Sequence, residues 1–408
     1  MYARWMCAAG LVALAPAAFG FETVDTLPWP SAGTFGAYSM EGAREWGFFV
    51  EGGAMYDDNV LRRSTGTEDD TILRVGAGVS STGLIYGRQR ATLDARVDGY
   101  KYFNLDELDH VAYGLRADWL WEVGNDLSGS TGYRRRHRLA DPAESGRATK
   151  AMITEDRLHT IGAYRLGAAL RLTAGAEFSY LDRDDRLAGE TGTLTLRTGV
   201  DYVSTLGNSI GVEVRRTEGD APVSPELGIG DFPDNRVEET EVAARLSYGL
   251  GTDLRIGGRV GHTDRKYSEL PSRNFSGTTW RAAAEWRPGP KTVLLLETFN
   301  EPTAIIDADA LHVIRKGWAF GPAWAPTLKL VFSARFTHER RQYEGDPTIA
   351  LGAPLRDETL RVMRFGVGWE PQRNWHLGAA YDHGERESNT LGRDFEFNAV
   401  VLNLRYTY

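Results

Sequence analysis

The stretch Val400-Val401-Leu402-Asn403-Leu404-Arg405-Tyr406-Thr407-Tyr408, which closes the chain, decides the fold. With period 2, Val400, Leu402, Leu404, Tyr406 and Tyr408 fall on one face, and Asn403, Arg405 and Thr407 on the other. In a soluble sheet such a strand at a chain end is an open edge that invites pairing with other molecules. In a membrane barrel it has a partner, because the last strand closes against the first.

The other end of the chain agrees. Arg4 precedes an apolar run from Trp5 to Phe19, and Ala18-Phe19-Gly20 has the small-x-small form of a signal-peptidase site. Residues 1–20 therefore read as a cleaved secretory signal, too short and wrongly flanked for an anchor. The only cysteine, Cys7, lies inside it, so the mature chain is expected to have no disulfide, thiol nucleophile or cysteine metal site. Residues 21–44 carry Pro28, Pro30 and several glycines without periodicity and read as a periplasmic lead-in, leaving 45–408 as the barrel. No later run reaches the ~18 apolar residues of a membrane helix. A mean hydropathy of -0.37 suits a barrel, in which only alternate strand residues meet lipid. A net charge of -9 argues against nucleic acid as a partner.

About 18 alternating segments (16–18) follow, an all-β reading: a transmembrane antiparallel up-and-down barrel, with the register of Ile153 to Leu166 ambiguous. The connections alternate in length. Short ones include Tyr86-Gly87-Arg88, Gly124-Asn125-Asp126, Leu206-Gly207-Asn208 and Pro371-Gln372-Arg373; between them lie long polar stretches such as Asp57 to Asp70, Ala140 to Ala151, Thr217 to Arg236 and Glu344 to Asp357. Tight turns on the periplasmic rim and long loops outside are the asymmetry of an outer-membrane barrel.

Charge then assigns the faces. From Val111 to Val123 the odd positions are apolar, whereas Arg116, Asp118 and Glu122 are even. A mid-membrane Arg or Lys facing lipid costs about 2–4 kcal/mol, so the charged rows are expected to face inward. The residues so assigned are Arg74, Asp94, Arg96, Asp98, Arg116, Asp118, Arg171, Glu177, Arg197, Asp201, Glu213, Arg215, Arg245, Arg255, Arg259, Arg281, Glu285 and Arg335. They support two readings together: a hydrated passage able to hydrogen-bond sugars as well as ions, and cross-strand ion pairs that stabilise the wall. No one-sign ladder stands out along the sequence.

Trp46, Trp119, Trp121, Trp286, Trp324, Trp369, Trp375, Tyr406 and Tyr408 fall near short-turn strand ends and predict an aromatic girdle at the periplasmic interface. Tyr56, Tyr113, Tyr133, Tyr180 and Tyr381 predict a tyrosine-rich outer one.

Other clusters are weaker. Asp57-Asp58-Asn59 with Glu68-Asp69-Asp70 has oxygen ligands for Ca²⁺, against the simpler reading of a solvated acidic loop. The eight histidines are scattered, with no metal spacing, and neither metal nor other cofactor is expected. Arg134-Arg135-Arg136-His137-Arg138 is a basic run that either contacts lipopolysaccharide phosphates or is a solvated face. An interfacial lipase or deacylase would need a Ser/His/Asp or Asn grouping, and none is evident locally, so no enzymatic activity is expected.

Tyr56-Asp57-Asp58-Asn59-Val60-Leu61-Arg62 resembles the opening signature of the putative β-barrel porin 2 family, in particular its EpsL-like members encoded with exopolysaccharide operons. Similar segments follow in order: Arg88 to Ala95 through Tyr100, Leu115 to Trp121, Gly321 to Thr327, Glu339 to Tyr343 and Gly392 to Phe395. The resemblance implies an outer-membrane protein serving synthesis or export of a surface polysaccharide. Expected partners are membrane lipid and lipopolysaccharide, the exopolysaccharide chain, a periplasmic polysaccharide-export protein, and the barrel-assembly machinery acting on the C-terminal strand. The alternative is a general diffusion porin for small hydrophilic solutes.

Overall fold

A computed structural model describes residues 47–140, 150–184, 191–220, 235–269, 271, 274–303, 312–344 and 355–408. The signal, the lead-in and the start assigned to the barrel at residue 45 lie outside the described residues.

The strands are β1 (Gly47–Asp57), β2 (Asp70–Tyr86), β3 (Gln89–Tyr102), β4 (His110–Val123), β5 (Leu127–Leu139), β6 (Met152–Leu166), β7 (Leu170–Arg183), β8 (Thr191–Val203) and β9 (Ser209–Asp220). The second half holds β10 (Arg236–Leu250), β11 (Leu254–Tyr267), β12 (Phe275–Gly289), β13 (Thr292–Thr303), β14 (His312–Trp324), β15 (Leu330–Glu344), β16 (Asp357–Gln372), β17 (Trp375–Ser388) and β18 (Phe395–Thr407). Each pairs antiparallel with its neighbours in sequence, and β1 pairs with β18, from Phe49↔Thr407 to Asp57↔Ala399. The result is a closed 18-stranded up-and-down barrel. Closure leaves no unpaired edge, which hydrocarbon would not tolerate.

Strands of 11 to 17 residues exceed the ~9–11 that a tilted strand needs to cross a bilayer, so they project beyond it. Short turns gather on one rim; Gly124 and Gly167 there have φ of 64° and 69°, a left-handed backbone that only glycine adopts without cost. Register shifts at Leu84/Tyr86, Trp286/Gly289 and Trp369/Gln372 sit on the same rim.

The barrel has no single hydrophobic core. Apolar side chains cover the outside, and small buried clusters lie at the long-loop end. In one of them Val60 and Leu61 pack with Ile72, Tyr102, Leu105 and Leu108, which seats loops 58–69 and 103–109 on the inner face of β2 and β3.

Candidate functional site: the inner wall

Neighbouring residues on one strand show the two faces. Arg74 is 1% exposed and Val75 70%. The same alternation holds around the barrel, and the register carries it from strand to strand. All eighteen charged residues assigned inward lie on the inner face: Arg74 on β2; Asp94, Arg96 and Asp98 on β3; Arg116 and Asp118 on β4; Arg171 and Glu177 on β7; Arg197 and Asp201 on β8; Glu213 and Arg215 on β9. Arg245 on β10, Arg255 and Arg259 on β11, Arg281 and Glu285 on β12, and Arg335 on β15 complete the set.

Contacts confirm that this face is concave. On a flat sheet, strands three apart are separated by about 14 Å. Yet Arg245 Nε on β10 donates to Asp201 on β8 at 2.6 Å, and its Nη2 donates to Thr173 on β7 at 2.7 Å. Arg335 on β15 reaches Glu297 on β13 at 2.8 Å in the same way.

The wall divides into two sectors. Around the seam of β1 and β18 and across β14 to β17, the outer half is packed and dry. The Arg74–Glu51 pair, at 2.6 Å, has side chains 0% and 1% exposed. Glu339 takes Arg341 at 2.6 Å as well as Arg315, and Glu358 takes Arg356 at 2.7 Å and the Tyr343 hydroxyl at 2.8 Å. Dry ion pairs need several bonds per charge to offset desolvation; Glu339 and Glu358 have them, whereas Glu51 Oε1 and Arg74 Nε and Nη1 are buried without a hydrogen-bond partner. Here the inner face is also partly apolar. Phe49, Phe395, Phe397, Ala399 and Val401 are buried, with Arg405 over Phe49, Arg386 over Phe395 and Arg62 over Phe397. Across β4 to β6 the inner face is wetter: the inward side chains of Arg116 and Arg157 are 52% and 45% exposed.

Register adds what strand-by-strand reading missed. Arg116, Arg134 and Arg157 stand directly opposite one another on β4, β5 and β6, and Arg245, Arg259 and Arg281 on β10, β11 and β12. Arg197↔Arg215 and Arg335↔Arg364 repeat the pairing. These one-sign rows run across strands, where a single sequence cannot display them. In the second row the charge is matched: Arg245 takes Asp201 and Glu213, Arg259 takes Glu241 at 2.8 Å, and Arg281 takes Glu301.

Glu51, Glu301, Glu339 and Glu358 were not assigned inward from the sequence. β13 runs through Glu301, and Glu297, Phe299 and Glu301 keep the inward parity. That parity was the available signal.

In the first loop Asp57, Asp58 and Asp70 are structural acceptors and not Ca²⁺ ligands, while the side chains of Glu68 and Asp69 are exposed to solvent. Asp57 holds Arg62 at 2.7 Å and the Asn59 amide at 2.9 Å. Asp58 accepts the backbone and side-chain N–H of Asn398 at 2.7 and 2.9 Å, and Asn59 Nδ2 donates to Glu396 O at 2.8 Å. Asp70, fully buried, accepts the backbone N–H groups of Phe103, Asn104 and Leu105. Arg62, at φ 52°, turns the loop back toward the seam. Among the described residues, no group of three His, Cys, Asp or Glu side chains is placed to hold a metal ion.

The basic run Arg134 to Arg138 splits by parity. Arg134, Arg136 and Arg138 point inward, whereas Arg135 and His137 point outward and Arg135 pairs with Asp156 at 3.3 Å. It is therefore not one lipopolysaccharide-facing cluster.

Trp119, Trp121, Trp286, Trp324, Trp369, Trp375, Tyr406 and Tyr408 all lie on the outer face by the short-turn rim; Trp46 lies outside the described residues. The separation of tryptophan from tyrosine by end is not strict. Tyr86, Tyr164, Tyr202 and Tyr248 are also exposed at the short-turn rim, and Trp280 and Trp318 lie further from it. Both rings combine an apolar body with a polar edge, so either suits either interface.

A model of the family described as putative beta-barrel porin 2 matches residues 171–408. Among solved structures, OpdK of Pseudomonas aeruginosa, crystallised with vanillate, aligns at 12% identity over 89% of this chain and 99% of that one, with a TM-score of 0.47. Pseudomonas aeruginosa OccK2 (OpdF), in complex with glucuronate, aligns at 12% identity over 89% and 98%, TM-score 0.49. The alcaligin outer-membrane receptor FauA of Bordetella pertussis aligns at 13% identity over 88% and 76%, TM-score 0.40. No curated protein matches the chain.

Proposed function

The chain belongs to the putative beta-barrel porin 2 family of porin-like outer-membrane β-barrels, and from that premise we propose that it carries an exopolysaccharide chain across the outer membrane. The observation that carries this reading is the wet sector of the inner wall, where Arg116 and Arg157 project half-exposed guanidinium groups from an inward face. Hydroxyl-rich polymers move along such a wall by exchanging hydrogen bonds with it. The resemblance of the Tyr56 to Arg62 segment to EpsL-like sequences supports a polymer rather than a small solute as cargo. A periplasmic export protein would present the chain at the short-turn rim, and lipopolysaccharide would surround the long-loop end.

Deleting the gene tests the proposal. Secreted polysaccharide should fall in amount or chain length and recover on complementation. Unchanged polymer, together with purified protein that conducts small ions unaffected by polysaccharide fragments, would instead favour a general diffusion porin.

A further inference from the structure

On β7, β8 and β9, between the long-loop end and the arginines of the mid-wall, the inner face carries paired hydroxyls. Ser179 stands directly opposite Thr193, and Thr195 directly opposite Thr217, all with the inward parity of Glu177, Arg197 and Arg215 on the same strands. Ser179 Oγ lies 2.6 Å from Thr193 Oγ1, and Thr195 Oγ1 lies 2.8 Å from Thr217 Oγ1. All four side chains are half-buried on the concave side of the sheet. The charges beside them are occupied by one another. Glu177, opposite Thr195, takes Arg197 at 3.4 Å and lies 3.7 Å from Arg157; Glu239, opposite Thr217, takes Arg265 at 2.8 Å and Arg215 at 3.5 Å. What this part of the wall still offers is hydroxyl. A hydroxyl has one donor and two acceptor lone pairs, so each pair uses one donor and one lone pair internally and keeps one O–H and three lone pairs for a ligand. Cross-strand hydroxyl pairs also serve sheet stability alone. Thr263 and Thr279 on β11 and β12 show that use: they are 2.8 Å apart and 1% and 2% exposed, and Thr279 donates onward to Glu241 at 3.1 Å. The β7–β9 pairs are not sealed in this way and reach no further protein acceptor among the described residues.

We propose that these two pairs form a subsite for uncharged sugar units, recognised through their hydroxyls, in the polymer that the passage carries. This deepens the export reading above and rests on it. A sugar with neighbouring hydroxyls can accept from the free O–H of a pair and donate to its lone pairs at once. Thr193 and Thr195 lie about 7 Å apart along β8, so the two pairs can engage successive units. Hydrogen bonds between neutral groups are about half as strong as charge-assisted ones, so a unit held here is released readily, as conduction requires.

The test uses the full-length barrel in planar bilayers with three probes: maltohexaose, hexagalacturonate, and a polyethylene glycol of matching size, whose chain oxygens accept hydrogen bonds but do not donate them. Maltohexaose should interrupt the current at about tenfold lower concentration than the glycol, with no change as salt rises, and hexagalacturonate should block no better than maltohexaose. The variant Ser179→Ala/Thr193→Val/Thr195→Val/Thr217→Val, checked for heat-modifiable folding, should need about tenfold more maltohexaose for half block and leave block by the glycol unchanged. Thr195→Val/Thr217→Val alone should show about a threefold rise and replaces it should the larger variant not assemble; the wild-type comparison decides if neither does. Equal block by maltohexaose and glycol, a preference for hexagalacturonate, or a folded variant that keeps wild-type block overturns the subsite and leaves the export channel, tested by gene deletion, standing. A folded barrel that neither conducts nor is blocked overturns both.

Discussion

Asp58 is the residue through which the first loop holds the barrel's seam. Its carboxylate accepts the main-chain N–H of Asn398 at 2.7 Å and the Nδ2 of the same residue at 2.9 Å, across the line where β1 meets β18. A hydrogen bond to a charged group contributes about 1.5–3 kcal/mol, and partial exposure of Asp58 places both bonds at the low end. Asp58→Ala removes the pair and leaves the Asn398 N–H without an acceptor, so the loss should be about 3 kcal/mol. Asp58→Asn keeps one acceptor oxygen and can retain the main-chain bond, so about half of that loss is expected. Urea unfolding of barrels reconstituted in lipid vesicles, followed by tryptophan fluorescence and heat-modifiable mobility, measures both. Local opening is a second readout: about 3 kcal/mol corresponds to roughly a hundredfold faster amide exchange at Asn398, confined to the long-loop end of the seam. If Asp58→Ala unfolds within about 0.5 kcal/mol of wild type and exchange at Asn398 is unchanged, the loop is not a clasp.

Arg74→Leu removes the nearest partner of the buried Glu51 carboxylate and leaves it Arg96 at 3.2 Å, so the cost should fall at the low end of a broken buried pair, about 3 kcal/mol, whereas Arg74→Met with Glu51→Gln should recover much of it; urea unfolding of the two variants decides. Tyr408 donates its backbone N–H to Phe48 O at 2.8 Å and packs its ring on Tyr406, so deleting it or placing Asp there should reduce folded, heat-modifiable barrel in the membrane before any effect on transport; normal yields would refute its role in assembly. In loop 103–109, the Lys101 ammonium and the Tyr102 N–H hold the Asp109 carboxyl below its ordinary value of 3.8. A depressed carboxyl contributes stability above its unfolded value and loses it as pH falls through the folded one. Amide protection in this loop, taken relative to the intrinsic exchange rate at each pH, should therefore hold at neutral pH and fall only below pH of about 4, a step that Asp109→Asn removes.

Parity was legible in the sequence because it is local. A strand that alternates Leu93, Asp94, Ala95, Arg96 can sit in a membrane in only one way, and a slip by one residue would put every charge into lipid. Loop lengths are local too, so the strand count and the closure of β18 on β1 followed from them. Register is not local. That Arg134 stands between Arg116 and Arg157 depends on how far three strands slide against one another, and alternation constrains the slide only to even steps. Loop interiors were illegible for a different reason. Asp57, Asp58 and Asp70 form an acidic stretch by composition, yet their acceptors are filled by Arg62, by Asn398 and by three backbone amides from residues 103–105. Only the distant partners show that the charge is structural.

Every permanent cation on the inner strand faces is arginine. The described lysines of the strands, Lys101, Lys266 and Lys316, point outward, and Lys291 and Lys329 sit in short turns. Arg245 shows the physical reason. Its Nε and Nη2 hold both oxygens of Asp201, Nη1 holds Glu213 at 2.6 Å, and Nη2 also reaches Thr173, so one side chain ties β7, β8, β9 and β10 together. A lysine ammonium has three donors on one atom and cannot span acceptors so far apart. A wall built this way is stiff where each fork is filled by the protein.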